Sequence, residues 1–128
     1  MTSGHSWRWI SLDGVLGIHD RQISEHGGPD GIRDLGIIES ALARPLNLLS
    51  YGQPDAADLA AAYAYGLSRN HGFTDGNKRT AWIIARLFLA DNGIRLIFNP
   101  QDAVHVMQDL ASGTVSEAGL AEWFRHRI

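Results

Sequence analysis

Apolar residues recur at helical spacing along most of this chain, and the breaks between periodic runs fall at glycine, proline and asparagine. Leu12, Val15, Leu16, His19 and Ile23 follow Ser11, a good N-cap, so the pattern predicts a helix from about Leu12 to Glu25 that stops at Gly27-Gly28. Gly28-Pro29-Asp30-Gly31 is turn chemistry, and His26 to Arg33 reads as a small hairpin or flap. Asp34 caps a second helix from Leu35 to Ala43 or Arg44. It is expected to end there, because the residue before Pro45 avoids the helical region, leaving Leu46 to Pro54 as loop. Asp55 opens an alanine-rich third helix to about Arg69, with Leu59, Ala62, Tyr63, Gly66 and Leu67 on one face; the small residues let a neighbour lie close.

The fourth run differs in kind. Between Arg79 and Asp91 its only charge is Arg86, so a helix opened by Asn77 and stopped by Gly93 is apolar nearly all round and is predicted to form the buried centre. Ile94 to Phe98 is a short apolar connection. Asn99-Pro100 starts a fifth helix with Val104, Met107 and Leu110 inward and Gly113 as its stop. Thr114 with Glu117 matches a capping box for a sixth, whose apolar stripe is Leu120, Trp123 and Phe124. Met1 to His5 reads as a loose end, and Trp7 to Ile10 as a short strand or extended lead-in. The expectation is therefore all-α: a compact bundle of about six helices around a central buried helix, with a small flap or hairpin, forming one domain over residues 1–128.

Composition narrows the function classes. A hydrophobic content of 45%, a charged content of 20% and the absence of repeats describe an ordinary globular chain. No apolar run approaches the roughly 20 residues of a membrane span, and no signal peptide is visible. A net charge of −3 without a basic run argues against nucleic acid as a direct partner, and zero cysteines exclude thiolate chemistry and fit a cytoplasmic location. Trp82, Phe88, Trp123 and Phe124 are expected in the core. His19, His26, His105 and His126 lack paired metal-ligand spacing, so no zinc site is expected.

Chemistry concentrates just before the fourth helix, in His71-Gly-Phe-Thr-Asp-Gly-Asn-Lys-Arg79. A glycine-containing turn feeding a helix leaves backbone N–H groups converging with the positive end of the helix dipole, which is an anion site. Lys78 and Arg79 in that first turn are badly placed for the dipole, and a bound phosphate would reverse that balance. His71 can serve as a general base toward a hydroxyl, because a free imidazole titrates near neutral pH. Asp75 can hold Mg²⁺ against phosphate oxygens, Gly76 permits close backbone approach, Asn77 opens the helix, and Arg79 can clamp phosphate. The set reads as phosphate handling beside a base.

This loop resembles the signature of the Fic and Doc superfamily, His-x-Phe-x-Asp/Glu-Gly-Asn-Gly-Arg, and Lys78 in place of the second glycine resembles the Doc branch, the "death on curing" toxins. The likeness extends over most of Ile18 to Phe98, through GGPDGIRD, ESALARP and FLADNG. Gly76 keeps the general Fic residue where Doc proteins often have alanine. For the family, the resemblance implies a helical fold with ATP and Mg²⁺ as cosubstrate and cofactor. It makes His71 the base, Asp75 the metal ligand, and Gly76, Asn77, Lys78 and Arg79 the phosphate cradle; Lys78 and Arg79 act in transfer. Arg69 sits where Doc proteins carry an arginine that contacts phosphate or target. The flap from His26 to Asp34 would hold a target segment by strand-like pairing.

Most Fic relatives transfer AMP, whereas in Doc relatives the nucleotide lies reversed and presents its γ-phosphate. A lysine fills the room a glycine leaves for a second phosphate, which favours the reversed pose. The resemblance thus implies a toxin kinase that phosphorylates Ser or Thr on a cellular protein of the translation elongation factor class. The alternatives are an AMP transferase and a non-catalytic nucleotide- or peptide-binding module. No Ser/Thr-x-x-x-Glu-Gly/Asn inhibitory motif is present, since Arg21, Leu35, Gly113 and Ala118 precede the glutamates by four. Inhibition in trans by a cognate antitoxin is expected.

Overall fold

A computed structural model describes residues 6–128. Among these the chain folds into six helices and no strand: α1 (Leu12–His26), α2 (Leu35–Tyr51), α3 (Ala56–Arg69), α4 (Asn77–Asp91), α5 (Pro100–Ser112) and α6 (Glu117–Arg125). None of them is long and apolar enough to cross a membrane. The all-α expectation holds, and most caps are where the sequence puts them. Ser11 Oγ accepts from Gly14 N–H, Asp34 from Ile37 N–H, and Asn99 from Gln101 and Asp102 N–H. Trp7 to Ile10 is an extended lead-in, pinned where Ile10 N–H donates to the Tyr63 hydroxyl at 3.0 Å. The expected loose end, Met1 to His5, lies outside the described residues.

The centre of the bundle is α3, not α4. All but three of its fourteen residues are buried, and α2, α4, α5 and α6 all pack on it. Alanines and Gly66 allow this, because small side chains let backbones approach from every side: a Cβ on Gly66 would lie 2.9 Å from the Ala41 Cβ. Helix α4 is the second core element, burying Ala81, Ile84, Ala85, Phe88 and Leu89 while Arg86 stays exposed.

Three further expectations are corrected. Helix α2 runs through Pro45 to Tyr51, so Leu46 to Tyr51 is not loop. Pro45 is buried, and packing of α2 on α3 outweighs the lost hydrogen bond and steric cost of about 3 kcal/mol that a proline brings to a helix interior. The last helix is capped by Ser116, which accepts from Gly119 N–H at 3.0 Å, and not by Thr114, whose hydroxyl pairs with Ser112. In α5 the inward face is Ala103, Val106, Met107 and Leu110; Val104 is 56% exposed. Met107 and Leu110 thus lie inward as read, while Val104 faces out and Ala103 and Val106 take its place.

Ends of α3 and α6 are joined by charge. Arg125 donates to Asp55 at 2.8 Å and Asp58 at 2.9 Å and also pairs with Glu122. The Arg125 hydrogen bond holds the Asp55 carboxyl down at about 2. A depressed carboxyl contributes stability above its unfolded value, near 3.9, and loses it as pH falls toward the folded value. Because these groups are partly exposed, the gain is below about 1 kcal/mol. Asp55→Asn keeps an N-cap while removing the charge. Its melting temperature is expected to fall less steeply than the wild type's between pH 4 and 2, as read by circular dichroism.

Candidate functional site

Helix α3 ends at Arg69, and the chain reverses into the loop through two devices. Asn70 Nδ2 donates back to the Gly66 carbonyl at 3.2 Å, and His71 adopts a left-handed backbone with φ 52°, the only non-glycine residue to do so among those described. That conformation costs a non-glycine residue of order 1 kcal/mol and marks a position held by its surroundings. The imidazole of His71 is left exposed while Gly72 and Phe73 turn inward. A side chain on Gly72 would meet Ile38 Cγ1 at 2.5 Å, so only glycine lets the loop backbone lie on α2.

The flap docks on the same loop. Gly72 carbonyl accepts from Arg33 and Asp34 N–H at 2.8 and 2.9 Å, and Thr74 N–H donates to Gly31 at 3.1 Å, making one antiparallel bridge between Ile32 and Phe73. The predicted hairpin is therefore a turn bridged to the loop from His71 to Arg79 rather than paired with itself. Ile32 remains 46% exposed beside it.

Phe73 anchors everything that follows. It is 1% exposed and stacks on His19, with ring centroids 3.7 Å apart and planes 6° from parallel. Both backbone groups of Phe73 are gripped by the Asn77 side chain: Oδ1 accepts from Phe73 N–H and Nδ2 donates to its carbonyl, each at 3.0 Å. Asn77 is thus committed to shaping the loop, and what it offers a phosphate is its backbone N–H. Gly76, with φ 81°, is the N-cap of α4 and supplies no side-chain cap, so the first-turn N–H groups keep their capacity for an anion.

His19 is a residue that the sequence reading put only in a helical stripe. It is 2% exposed, and its Nε2 lies 2.7 Å from the Asp75 carbonyl oxygen. A carbonyl only accepts, so Nε2 carries the proton. The ring thereby fixes the backbone on which the candidate metal ligand stands. Gly28 is a second missed residue: a Cβ there, at φ +111°, would fall 2.4 Å from Asp75 Oδ2. Gly28→Ala is expected to push the Asp75 carboxylate aside, which, were Mg²⁺-nucleotide held there, would weaken its binding by roughly tenfold, as outer-shell changes at metal sites do. A Mg²⁺ titration of nucleotide affinity in the folded variant checks this.

A cavity of about 800 Å³ opens at this point. Asp75, Gly76, Asn77, Lys78 and Arg79 line one end of it, next to Gly28 of the flap. Neither cation has a carboxylate partner among the described residues, and the Asp75 carboxylate is likewise unpaired. Two unneutralised cations at a helix start, beside free N–H groups and one carboxylate, match a metal-bound polyphosphate in both charge and donor type. Arg69 is not brought to this cavity. Its guanidinium donates to the Leu110 carbonyl at 3.4 Å and sits 5.6 Å from the Tyr65 ring, at the end of α5. His71 does not line the cavity either; it stands on the loop that leads to its polar end.

The sequence profile of the Fic/DOC family matches residues 9–89, a span that includes α1, the flap, the loop and nearly all of α4. The chain belongs to this family. Among curated proteins, it is 33% identical over 119 residues to a protein kinase named Doc from Escherichia phage P1, covering 92% of this chain and 94% of that one. It is also 42% identical over 91 residues to a toxin named Doc from Mycolicibacterium smegmatis, covering 67% of this chain and 69% of the relative. The loop held by Phe73, Asn77 and His19 lies within the matched span. Phe88 and Phe124 are fully buried as expected, but Trp82 and Trp123 are only partly so, and Trp82 lines the cavity.

Proposed function

We propose that this Fic/DOC protein is a toxin that transfers the γ-phosphate of ATP to a serine or threonine hydroxyl of a cellular protein, a translation elongation factor being the target class, and so arrests growth. The reading rests on one observation above all: unpaired Asp75, Lys78 and Arg79 share the polar end of one cavity at an uncapped helix start, beneath the loop that exposes His71. The names carried by its relatives, a protein kinase and a toxin, support it.

His71 takes the proton of the target hydroxyl as its oxygen bonds to the terminal phosphorus. The bond from that phosphorus to the β–γ bridging oxygen breaks, and ADP leaves. ATP is the phosphoryl donor, and Asp75 would hold a Mg²⁺ ion, which would offset phosphate charge. Lys78 and the backbone N–H groups of Asn77 and Arg79 hold the phosphates, and the Arg79 guanidinium steadies the charge that develops in transfer. The flap, bridged to the loop at Ile32, presents a half-exposed apolar side chain where a target segment would lie along it. A cognate antitoxin restrains the enzyme by covering this face, in the cytoplasm.

Incubation with cell lysate, Mg²⁺ and ATP labelled at the γ- or the α-phosphate tests the reading. Label is expected to enter protein from the γ-position only. Entry from the α-position would make the chain an AMP transferase, and no entry from either would make it a binding module.

A further inference from the structure

Between α4 and α5 the chain runs Ile94-Arg-Leu-Ile-Phe98, and exposure alternates along it. Ile94, Leu96 and Phe98 are half-buried, while Arg95 and Ile97 stand in water, Ile97 with 69% of its surface exposed. A period of two is that of an extended strand, and branched and aromatic residues favour it. Yet among the described residues no second strand lies beside it. Ile94 N–H donates to the Leu89 carbonyl and Ile97 N–H to the Arg127 carbonyl, each at 2.9 Å. Successive residues of a strand turn their N–H and C=O groups to opposite sides, so both groups of Leu96 and the N–H of Phe98 face away from Arg127. Among the described residues these groups have no backbone partner.

We propose that residues 94–98 form a docking edge, to which a partner protein adds an extended, acidic stretch of chain as a second strand. The proposal is independent of the phosphotransferase reading, because none of its groups belongs to the phosphate site.

Charge selects the occupant. Arg95 projects from the segment itself. Arg8 is tied to its start, since its N–H and carbonyl both bond the Asn92 side chain, at 2.8 and 3.0 Å. Arg127 lies beside Ile97, with its guanidinium 4.0 Å from the Trp123 ring centroid. None of these arginines has a carboxylate partner among the described residues. The carboxylates nearest in the chain, Asp91 and Asp102, are exposed and stand beyond its two ends. An excess of positive charge along one edge, in a chain whose net charge is −3, is complementary to carboxylates.

Other occupants fit less well. Two copies of this chain paired antiparallel about Leu96 would gather the arginines of both along one joint, where like charges repel. A phosphodiester backbone would meet the arginines, but it has no N–H to offer the open Leu96 carbonyl. A peptide strand supplies donor and acceptor alternately. Two residues past the segment, Pro100, Gln101, Val104 and His105 line a shallow hollow of about 480 Å³, which has room for an apolar side chain of the added strand.

The test is fluorescence anisotropy with the full chain at low salt and three labelled octapeptides. One alternates glutamate with valine, one alternates lysine with valine, and the third is the glutamate peptide N-methylated at its four central residues, which keeps the charge but removes donors from both edges. The unmodified glutamate peptide is expected to bind saturably, and each of the others at least about tenfold more weakly. Arg95→Glu, at an exposed position, is expected to weaken the glutamate peptide about tenfold while leaving the melting temperature unchanged. Equal binding of the methylated peptide would overturn strand pairing, and equal binding of the lysine peptide would overturn the acidic occupant. Binding that Arg95→Glu leaves untouched, or no saturable binding at all, would overturn the docking edge. Self-association of the free chain in sedimentation, lost on Ile97→Lys, would replace the acidic partner with a second copy.

Discussion

Replacing His71 with alanine is expected to slow protein phosphorylation by roughly a hundredfold to ten-thousandfold, the usual contribution of a positioned general base, while leaving Mg²⁺-ATP affinity nearly unchanged. The separation of the two effects follows from how the loop is held. Everything proposed to bind nucleotide comes after Phe73, and that segment is fixed by Asn77 on the Phe73 backbone, by His19 on the Asp75 carbonyl and by burial of the Phe73 ring. The His71 side chain takes no part in these contacts. Its backbone, at φ 52°, does matter for the entry to the loop. His71→Asn is therefore the better-controlled variant, because asparagine tolerates the left-handed conformation but cannot take a proton at neutral pH. Single-turnover transfer from γ-labelled ATP, set beside calorimetry for nucleotide, reads both quantities. Full transfer by either variant would remove His71 as the base.

Much of this arrangement was legible in the sequence because the signals were local. Helix starts at Ser11, Asp34, Asp55 and Asn99 each depend on one side chain reaching N–H groups within three residues, and all four appear as read. Stops at Gly27, Gly93 and Gly113 depend on a positive φ that glycine adopts without strain. The loop from His71 to Arg79 was legible as chemistry for the same reason.

What the sequence hid was set by packing between distant segments. Pro45 announces a helix end, yet α2 continues because its buried face lies on α3. The most apolar run, α4, looked like the centre, but centrality goes to the helix with the smallest side chains, which accepts neighbours on all sides. His19 is the most instructive case. In the chain it is one polar residue in an apolar stripe, and only folding brings it across 56 residues to the carbonyl of Asp75. A histidine at a fully core-facing position was the available clue, since burial obliges its ring nitrogens to find partners.

The same α4 that carries the site at its start carries the main structural dependence at its end, and Phe88→Ala is expected to destabilise the protein by about 3–5 kcal/mol. For a domain of this size that lowers the melting temperature by more than about 10 °C. Phe88 is completely buried, and three rings close on it: Tyr63 at 5.3 Å from α3, and Trp7 and Trp9 at 5.8 and 6.0 Å from the extended lead-in. Removing it deletes transfer energy, leaves a cavity the rigid helices cannot close, and takes away the surface on which the lead-in rests. The lead-in has other ties, which divide the loss. Asn92 accepts from Arg8 N–H at 2.8 Å and donates to the Arg8 carbonyl at 3.0 Å, and Ile10 N–H holds the Tyr63 hydroxyl. Phe88→Leu keeps most of the volume and is expected to cost less than about 1.5 kcal/mol. Chemical denaturation of the three proteins measures the series. Because Phe88 lies about 16 Å along the helix from Asn77, folded Phe88→Ala molecules are expected to phosphorylate at the wild-type rate at low temperature. The loop is clamped by contacts at the helix start, so a rate loss larger than the unfolded fraction explains would mean that the far end of α4 also sets the geometry of Asp75, Lys78 and Arg79.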